Sequence, residues 1–416
     1  MQEYKFLIII DILCLIASII LLKRNLSFFH PGFIYLFFHV YSFTLRLWEL
    51  SFGAIPLYGD LLGFSTVTNK EIFRAMIWAD IGLLFFSLGS LFAFKVRLNK
   101  SIKGLIFNKK KVWMLAVLFF IVGLPSFFLQ QDISSFGMST TRQFILLMSL
   151  WPVSALIALI YVMGFRWYLM LALIPFLFVF STQGYHRFMV ILPVILLVSI
   201  YLSKSNLKWP NKRIMIILLS AALIFPQLKY IGMAYTSNDP GEVTLRLKQA
   251  FHLEKSDSST INSFLDQYAG ALTLIDNNDK FYYGSTYLKV FIIFIPRAIW
   301  PSKPGLADHT VALGTSERPY DVEGRIITYL GEAYINFRYF GFFIVPTLVG
   351  YFLTRFYRSS VQLGYGYVQH YIYLVFMAVL IQVYRDGLVS IVLFGVFQNL
   401  LMVTIYLAHK FSWNRR

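Results

Sequence analysis

The chain has 416 residues, of which 58% are hydrophobic and 18% aromatic, and its mean hydropathy is +0.65. Only 14% of the residues are charged, against about a quarter in a typical soluble protein, which excludes a soluble globular fold. Its apolar runs are continuous rather than alternating, and many reach about 20 residues, the length that crosses a bilayer as a helix. The only cysteine, Cys14, lies inside the first run, so the chain has no internal disulfide and no cysteine metal site.

Taken in chain order, the apolar runs predict about 11 transmembrane helices in an all-α polytopic membrane protein. The predicted helices cover roughly 5–22, 28–50, 70–94, 112–130, 143–164, 167–182, 188–203, 213–233, 326–354, 367–384 and 387–408. We see no internal repeat and no soluble domain, so residues 1–416 are predicted to form a single transmembrane domain.

Basic residues accumulate in the loops on one side of this arrangement, and acidic residues are absent there. They are Lys23, Arg24, Lys95, Arg97, Lys100, Lys103, Lys109, Lys110, Lys111, Arg166, Lys204, Lys208, Lys212, Arg213, Arg355, Arg358, Lys410, Arg415 and Arg416. Such loops face the cytoplasm, which places the N-terminus outside and the C-terminus inside. The net charge of +17 is therefore an orientation signal and does not indicate a nucleic-acid partner.

The one long hydrophilic segment, residues 234–325, is then a large external loop. Within it, INSFLDQYAGALTLIDNN predicts an amphipathic helix, with Phe264, Tyr268, Leu272 and Ile275 at helical spacing. The apolar stretch YLKVFIIFIPRAIW that follows is too short to span a bilayer, so we expect a re-entrant or interfacial segment. A loop of this size with its own elements is usually functional.

Four groups of charged residues fall at helix ends on the external side, in QGYHR, IPRAIWPSKP, GRIITYLGEAYINFR and VYRDG. Their members are His186, Arg187, Arg297, Lys303, Arg325, Glu332, Arg338, Arg385 and Asp386. Taken alone, each arginine fits a snorkelling anchor or a salt bridge as well as it fits an anion site, and Asp386 offers Arg385 a local partner. Together the groups favour an anion site, because guanidinium groups bind phosphate oxygens without a metal.

Several other side chains have more than one interpretation. Glu332, about two turns into its predicted helix, is either paired with a buried arginine or a base with a raised pKa. Asp11 and Asp80, within apolar runs, are interpreted as hydrogen-bonding contacts between helices, and His39 as a packing residue. The sequence carries no D-x-D pair, P-loop, G-x-S-x-G or H-E-x-x-H motif, which argues against nucleotide-driven chemistry.

The sequence resembles the Wzy-type oligosaccharide repeat-unit polymerases of bacteria, the O-antigen polymerases. The resemblance covers the topology of essentially the whole chain. It is carried most specifically by IPRAIWPSKP and by LGEAYINF further along, and more loosely by QGYHRF. One departure is Arg338, at a position after Asn336 and Phe337 where the family pattern leads us to expect glycine.

The resemblance implies a lipid-dependent, GT-C-like glycosyltransferase in the bacterial inner membrane, without a cofactor or metal. Its substrate would be oligosaccharide repeat units of O-antigen, capsule or exopolysaccharide carried on undecaprenyl diphosphate, and a chain-length regulator is a candidate partner. Diphosphate binding would fall to Arg187, Arg297, Lys303, Arg325 and Arg385. Glu332 or His309 would orient or deprotonate the acceptor, with His186, Asp308 and Tyr334 as acceptor or sugar contacts.

Two alternatives share the same kind of donor. An O-antigen ligase or related transferase would pass the glycan to a different acceptor, and the sequence separates it poorly from a polymerase. A flippase or transporter of lipid-linked oligosaccharides would also need a cationic cavity. The missing internal repeats and the single large asymmetric loop count against transport.

Overall fold

The structure, a computed structural model, is built almost entirely of helices. It describes residues 2–23, 25–54, 67–98, 104–129, 145, 148–182, 188–224, 231, 234, 239–250, 264–278, 281–292, 295, 299–300, 302, 327–388 and 390–413.

The described helices are numbered here in chain order. They are α1 (Gln2–Leu22), α2 (Pro31–His39), α3 (Leu45–Ser51), α4 (Asn69–Lys95), α5 (Lys109–Leu129), α6 (Trp151–Met163), α7 (Trp167–Thr182), α8 (Phe188–Lys204), α9 (Lys212–Ile224), α10 (Pro240–Ala250), α11 (Phe264–Asn278), α12 (Ser285–Ile292), α13 (Thr328–Phe337), α14 (Gly341–Leu363), α15 (Val368–Asp386) and α16 (Leu400–Trp413). A π-helical turn, Val40–Thr44, joins α2 to α3, another covers Ile391–Phe397, and a 3-10 turn, Arg338–Phe340, joins α13 to α14.

Six predicted helices, α1, α4, α5, α7, α8 and α15, begin and end within a few residues of the expected positions. The amphipathic helix predicted in the long loop is confirmed as α11, with Tyr268, Leu272 and Ile275 buried. The short apolar stretch begins with α12, an eight-residue helix. Two other expected helices are interrupted: a π turn divides 28–50, and Arg338 divides 326–354.

Four helical segments of the described chain are long and apolar enough to cross a membrane. They are Glu3–Leu22, Asn69–Lys95, Lys109–Leu129 and Thr328–Leu363. The protein is therefore a multi-pass membrane protein of the all-α class. The figure of about 11 spans remains a sequence-based prediction.

The chain forms two compact units, and the first comprises residues 1–98, 259–358 and 380–392. In this unit α1 packs along α4, and α11 lies across α4. Tyr35 is at the centre of its aromatic core, with ring centroids 4.7 Å from Phe86, 4.8 Å from Tyr384 and 5.4 Å from Tyr329. Tilted and edge-on pairs at these distances add to the stability that apolar burial provides.

Small residues bring α4 and α14 into close contact in the first unit. A β-carbon added at Gly89 would overlap the Thr347 carbonyl, and one added at Gly350 would overlap the Phe86 carbonyl. Ser90 donates to the Gly350 carbonyl at 3.3 Å and accepts from the Thr354 hydroxyl at 2.9 Å. Membrane helices without a hydrophobic drive to associate use such small residues and interhelical hydrogen bonds to pack closely.

The second unit comprises residues 99–258, 359–379 and 393–416, and α5 pairs with α6 within it. Its buried polar side chains also bridge helices. His370 lies 2.6 Å from the Ser203 hydroxyl and 2.8 Å from the Ser360 hydroxyl. Trp151 donates its indole N–H to the Phe397 carbonyl at 3.0 Å.

The expectation of one continuous helix over 326–354 is wrong at Arg338. Arg338 has φ +53° and ψ −143°, a conformation that glycine adopts easily and other residues rarely do, and α13 ends there. The start of α14 then lies against the backbone of α13. A β-carbon added at Gly341 would overlap the Ala333 carbonyl. Arg338 thus occupies a backbone position suited to the glycine that the family pattern led us to expect.

This geometry predicts the stability order of two variants of Arg338. Both Arg338→Gly and Arg338→Ala lose the guanidinium contacts, but only glycine relieves the positive φ. We expect Arg338→Gly to be more stable than Arg338→Ala by about 1 kcal/mol, the usual cost of a left-handed conformation for a residue with a β-carbon. The measurement is the thermal unfolding midpoint of the purified chain in detergent.

Arg355, inside α14, is the matched control. There the order should reverse, because glycine in a helix interior is less stable than alanine by about 1 kcal/mol. If Arg338→Gly unfolds at a lower temperature than Arg338→Ala, the positive φ at this position is refuted.

Candidate functional site

The amphipathic helix α11 is held in the first unit by a buried ion pair near its N-terminus. Arg46 donates from Nε to Asp266 Oδ1 at 3.1 Å and from Nη2 to Asp266 Oδ2 at 2.7 Å. The two side chains are 2% and 0% exposed. A second carboxylate, Glu49, accepts from Arg46 Nη1 at 3.0 Å but is 41% exposed. The bidentate pair fixes both the position and the orientation of α11.

The C-terminal end of α11 carries a second group of contacts, the Asp276 cluster, made by Asp276, Arg74, Arg338 and Tyr334. Asp276 accepts from Arg74 at 2.5 Å through one oxygen. Through the other it accepts from the Tyr334 hydroxyl at 2.5 Å and from Arg338 at 2.9 Å. One carboxylate thereby joins α11 to α4 and to the end of α13.

Arg338 has a further contact that explains why an arginine stands at a position suited to glycine. Its guanidinium carbon lies 3.4 Å from the centre of the Phe281 ring, a cation–π contact. Phe281 follows α11 and precedes α12. The favourable contacts of Arg338 with Asp276 and Phe281 therefore offset the strained backbone at the break between α13 and α14.

Glu332 is the centre of a third group, the Glu332 cluster, which also contains Thr286, Asn336 and Leu388. The Glu332 carboxylate is 1% exposed and accepts from the Thr286 hydroxyl at 3.0 Å and from the Leu388 backbone N–H at 2.7 Å. Asn336 donates to Thr286 Oγ1 and to the Glu332 carbonyl, both at 2.7 Å. Its own amide oxygen accepts from Gly284 N–H at 2.8 Å. These contacts bind the start of α12 to α13.

The turn after α15 is shaped around the Glu332 carboxylate. Gly387 has φ +98°, and a β-carbon there would overlap Glu332 Oε2, so only glycine fits the conformation and the space. Arg385, just before this turn, pairs with Asp386 at 3.5 Å. Asp386 also accepts from the Gln382 amide. The sequence-based expectation of a local Arg385–Asp386 pair is confirmed.

Tyr287, in α12, is a buried neighbour of the Glu332 cluster. Burial raises the pKa of Tyr287 well above its usual value, and the nearby Glu332 carboxylate raises it further. The phenol therefore stays protonated over the physiological pH range. Its ring stacks on Phe337 with centroids 6.1 Å apart, which adds an apolar contact between α12 and the end of α13.

The structure brings three of the predicted site residues into one unit: Glu332, Tyr334 and Arg385. Tyr334 was predicted to contact sugar, but it is 1% exposed and its hydroxyl is bound to Asp276. The Glu332 carboxylate accepts hydrogen bonds from a hydroxyl and a backbone N–H. The remaining predicted residues lie outside the described part of the chain: His186, Arg187, Arg297, Lys303, Asp308, His309 and Arg325.

Four residues that hold α11 were missed from the sequence: Arg46, Arg74, Asp266 and Asp276. Arg46 carried a usable signal, because a charged residue inside a predicted span is expensive and almost always has a partner. Its partner follows 220 positions later, and nothing in the spacing of the two residues indicates the pairing. Asp266 and Asp276 read in the sequence as ordinary polar positions of an amphipathic helix.

Comparison with known proteins finds no matching family model, no similar curated protein and no similar solved structure.

The docking of α11 predicts unequal effects of neutralising the two carboxylates around Arg46. Asp266→Asn removes the buried one of two carboxylate partners of a guanidinium that is 2% exposed, so we expect a loss of about 3–5 kcal/mol. Glu49→Gln acts on the same arginine at a side chain that is 41% exposed, so the loss should stay below about 1 kcal/mol. Thermal unfolding in detergent measures both. Equal midpoints for the two variants would contradict the buried pair.

Proposed function

We propose that this protein is a membrane glycosyltransferase that polymerises oligosaccharide repeat units carried on undecaprenyl diphosphate. The reaction would take place at the external leaflet of the bacterial inner membrane, with the N-terminus external and the C-terminus cytoplasmic. Two kinds of support meet here: the all-α multi-pass fold and the motif resemblance of IPRAIWPSKP and LGEAYINF.

The observation that carries the proposal is the Glu332 cluster. Its carboxylate binds both the turn that follows Arg385 and the start of α12, at Thr286. The α12 segment continues in sequence into IPRAIWPSKP, with Arg297 and Lys303. Two of the four cationic groups thus belong to segments that one buried carboxylate anchors. A rigid anchor of this kind suits a site that must hold cations in fixed positions around a diphosphate.

The proposed reaction is a displacement at an anomeric carbon. A sugar hydroxyl of one lipid-linked unit attacks the anomeric carbon of the sugar bound to the diphosphate of the other. The new glycosidic bond forms, the bond from carbon to diphosphate oxygen breaks, and undecaprenyl diphosphate leaves. Negative charge develops on the departing diphosphate, and fixed guanidinium and ammonium groups stabilise it. We assign this role to Arg297, Lys303, Arg325 and Arg385, and Arg187 is a further candidate from the sequence.

The proton of the attacking hydroxyl needs an acceptor, and Glu332 and His309 were the two candidates. Glu332 is 1% exposed, and its two oxygens accept hydrogen bonds that hold α12 and the turn at Leu388. These contacts favour a positioning role for Glu332. We therefore propose His309 as the base, since an imidazole has an ordinary pKa close to neutrality. His186 and Asp308 remain proposed sugar contacts.

The proposed substrate is lipid-linked oligosaccharide, which the protein meets within the bilayer. A chain-length regulator is a proposed protein partner. A transferase that passes finished chains to another acceptor, or a flippase, would show a different pattern of accumulated intermediates. The test below separates them.

The test is made in the native host, by comparing surface-glycan length on gels for the wild type, a deletion and Arg297→Ala. Loss of one fixed charge-stabilising donor lowers catalysis by about 10²–10³-fold. We therefore expect Arg297→Ala to reduce the ladder to a single repeat unit, as deletion does. Arg355→Ala is the control, because Arg355 lies on the predicted cytoplasmic side. Membrane levels of each variant are measured by immunoblot.

Three outcomes would overturn the proposal. A full ladder in a stably inserted Arg297→Ala variant would show that Arg297 does not take part in the reaction. Full-length lipid-linked chains that accumulate in the deletion strain would indicate a ligase. Single repeat units trapped on the cytoplasmic leaflet of the deletion strain would indicate a flippase.

A further inference from the structure

Three ionisable side chains from three helices meet inside the first unit. They form the Asp–His–Asp cluster: Asp11 of α1, His39 at the end of α2 and Asp80 of α4. Asp11 and His39 are 0% exposed and Asp80 is 2% exposed. One potential ligand atom from each residue lies within 4.8 Å of the others. The sequence had suggested separate contacts between helices for the two aspartates and simple packing for the histidine.

The charges in this cluster do not balance through hydrogen bonds alone. His39 Nε2 lies 3.0 Å from Asp11 Oδ1 and 3.3 Å from Asp80 Oδ1, so one nitrogen faces two carboxylates. The hydrogen bond from this nitrogen goes to Asp11. Neither oxygen of Asp80 has a hydrogen-bond partner in the described structure. The second oxygen of Asp11 has none either. Buried carboxylates in this state need either a bound proton or a cation, because an isolated buried charge is very costly.

The composition of the cluster and the two distances from His39 to the carboxylates also fit a metal site. Around an ion with bonds of about 2.0–2.1 Å, neighbouring ligand atoms lie about 2.9 Å apart in octahedral and about 3.3 Å apart in tetrahedral geometry. The two distances from His39 Nε2, 3.0 Å and 3.3 Å, fall in this interval. One imidazole and two carboxylates suit first-row divalent ions such as Zn²⁺ and Mn²⁺ better than Mg²⁺ or Ca²⁺, which favour oxygen alone.

The local structure around His39 supports a fixed ligand position. His39 ends α2 directly before the π-helical turn Val40–Thr44. Its ring packs edge-on against Phe43, with centroids 5.2 Å apart. Single π turns inside α-helices are rare overall, and those that occur are frequently found at functional sites.

We propose that Asp11, His39 and Asp80 bind one divalent transition-metal ion, which neutralises both carboxylates and joins α1, α2 and α4. The ion sits within the helical unit and takes no part in the sugar transfer proposed above. The proposed metal site is therefore independent of the proposed polymerase activity. It can be tested by metal binding, without any glycan substrate.

The experiment uses the full chain without an affinity tag, purified in detergent, stripped with a chelator and dialysed against Zn²⁺. Bound zinc is quantified by elemental mass spectrometry, and thermal unfolding is followed with and without Zn²⁺. We expect a single equivalent of zinc on the wild type and a higher unfolding midpoint with the ion. Asp80→Asn and His39→Gln should each retain at least tenfold less zinc and lose the shift.

The matched control is His370→Gln, which removes another buried histidine whose described partners are serines rather than carboxylates. It should bind zinc as the wild type does. If the wild type holds no stoichiometric zinc, or no more than Asp80→Asn, the proposal is overturned and the carboxylates instead share protons. Because the wild-type measurement alone can overturn the proposal, a variant that fails to fold does not weaken the test.

Discussion

Burial of carboxylates within a membrane protein is the constraint on which the rest of this structure depends. Glu332, Asp266, Asp11 and Asp80 are all at most 2% exposed. Each such group is tolerated only where donors or a cation compensate for lost hydration. The compensating partners come from other helices, so every buried carboxylate becomes a point where elements distant in sequence are joined. The packing of the first unit follows from where those partners lie.

The same contacts give α11 and the start of α12 a defined place in the first unit. Arg46 holds one end of α11, the Asp276 cluster holds the other, and Glu332 holds the beginning of α12. Hydrophobic packing alone would allow α11 to slide along α4, whereas directional bonds at both ends fix its register. Arg297 and Lys303 follow α12 in the sequence, so the segment that leads to them begins at an anchored helix. This is the physical link between the fold and the proposed transfer of a diphosphate-linked sugar.

Much of the helix pattern was predictable because apolar length is a local signal. The ends of α1, α4, α7 and α8 follow from the apolar runs, and α11 follows from its helical periodicity. The π turn after His39 and the break at Arg338 were not predictable, since both depend on contacts made by residues far along the chain. The pairing of Arg46 with Asp266 and the meeting of Asp11, His39 and Asp80 are likewise non-local. The depth of Glu332 was predicted from the sequence, but its partners became evident only in the structure.

The central claim is that a buried Glu332 positions a site where lipid-linked sugars are joined. The most direct measurement is release of undecaprenyl diphosphate by the purified chain in liposomes supplied with lipid-linked repeat units and no nucleotide, with Glu332→Gln and Glu332→Ala alongside. A glutamine can accept from Leu388 N–H and donate to Thr286, so the account predicts release by the wild type and Glu332→Gln and almost none by Glu332→Ala. No release by the wild type, or equal loss in two folded variants, would contradict it.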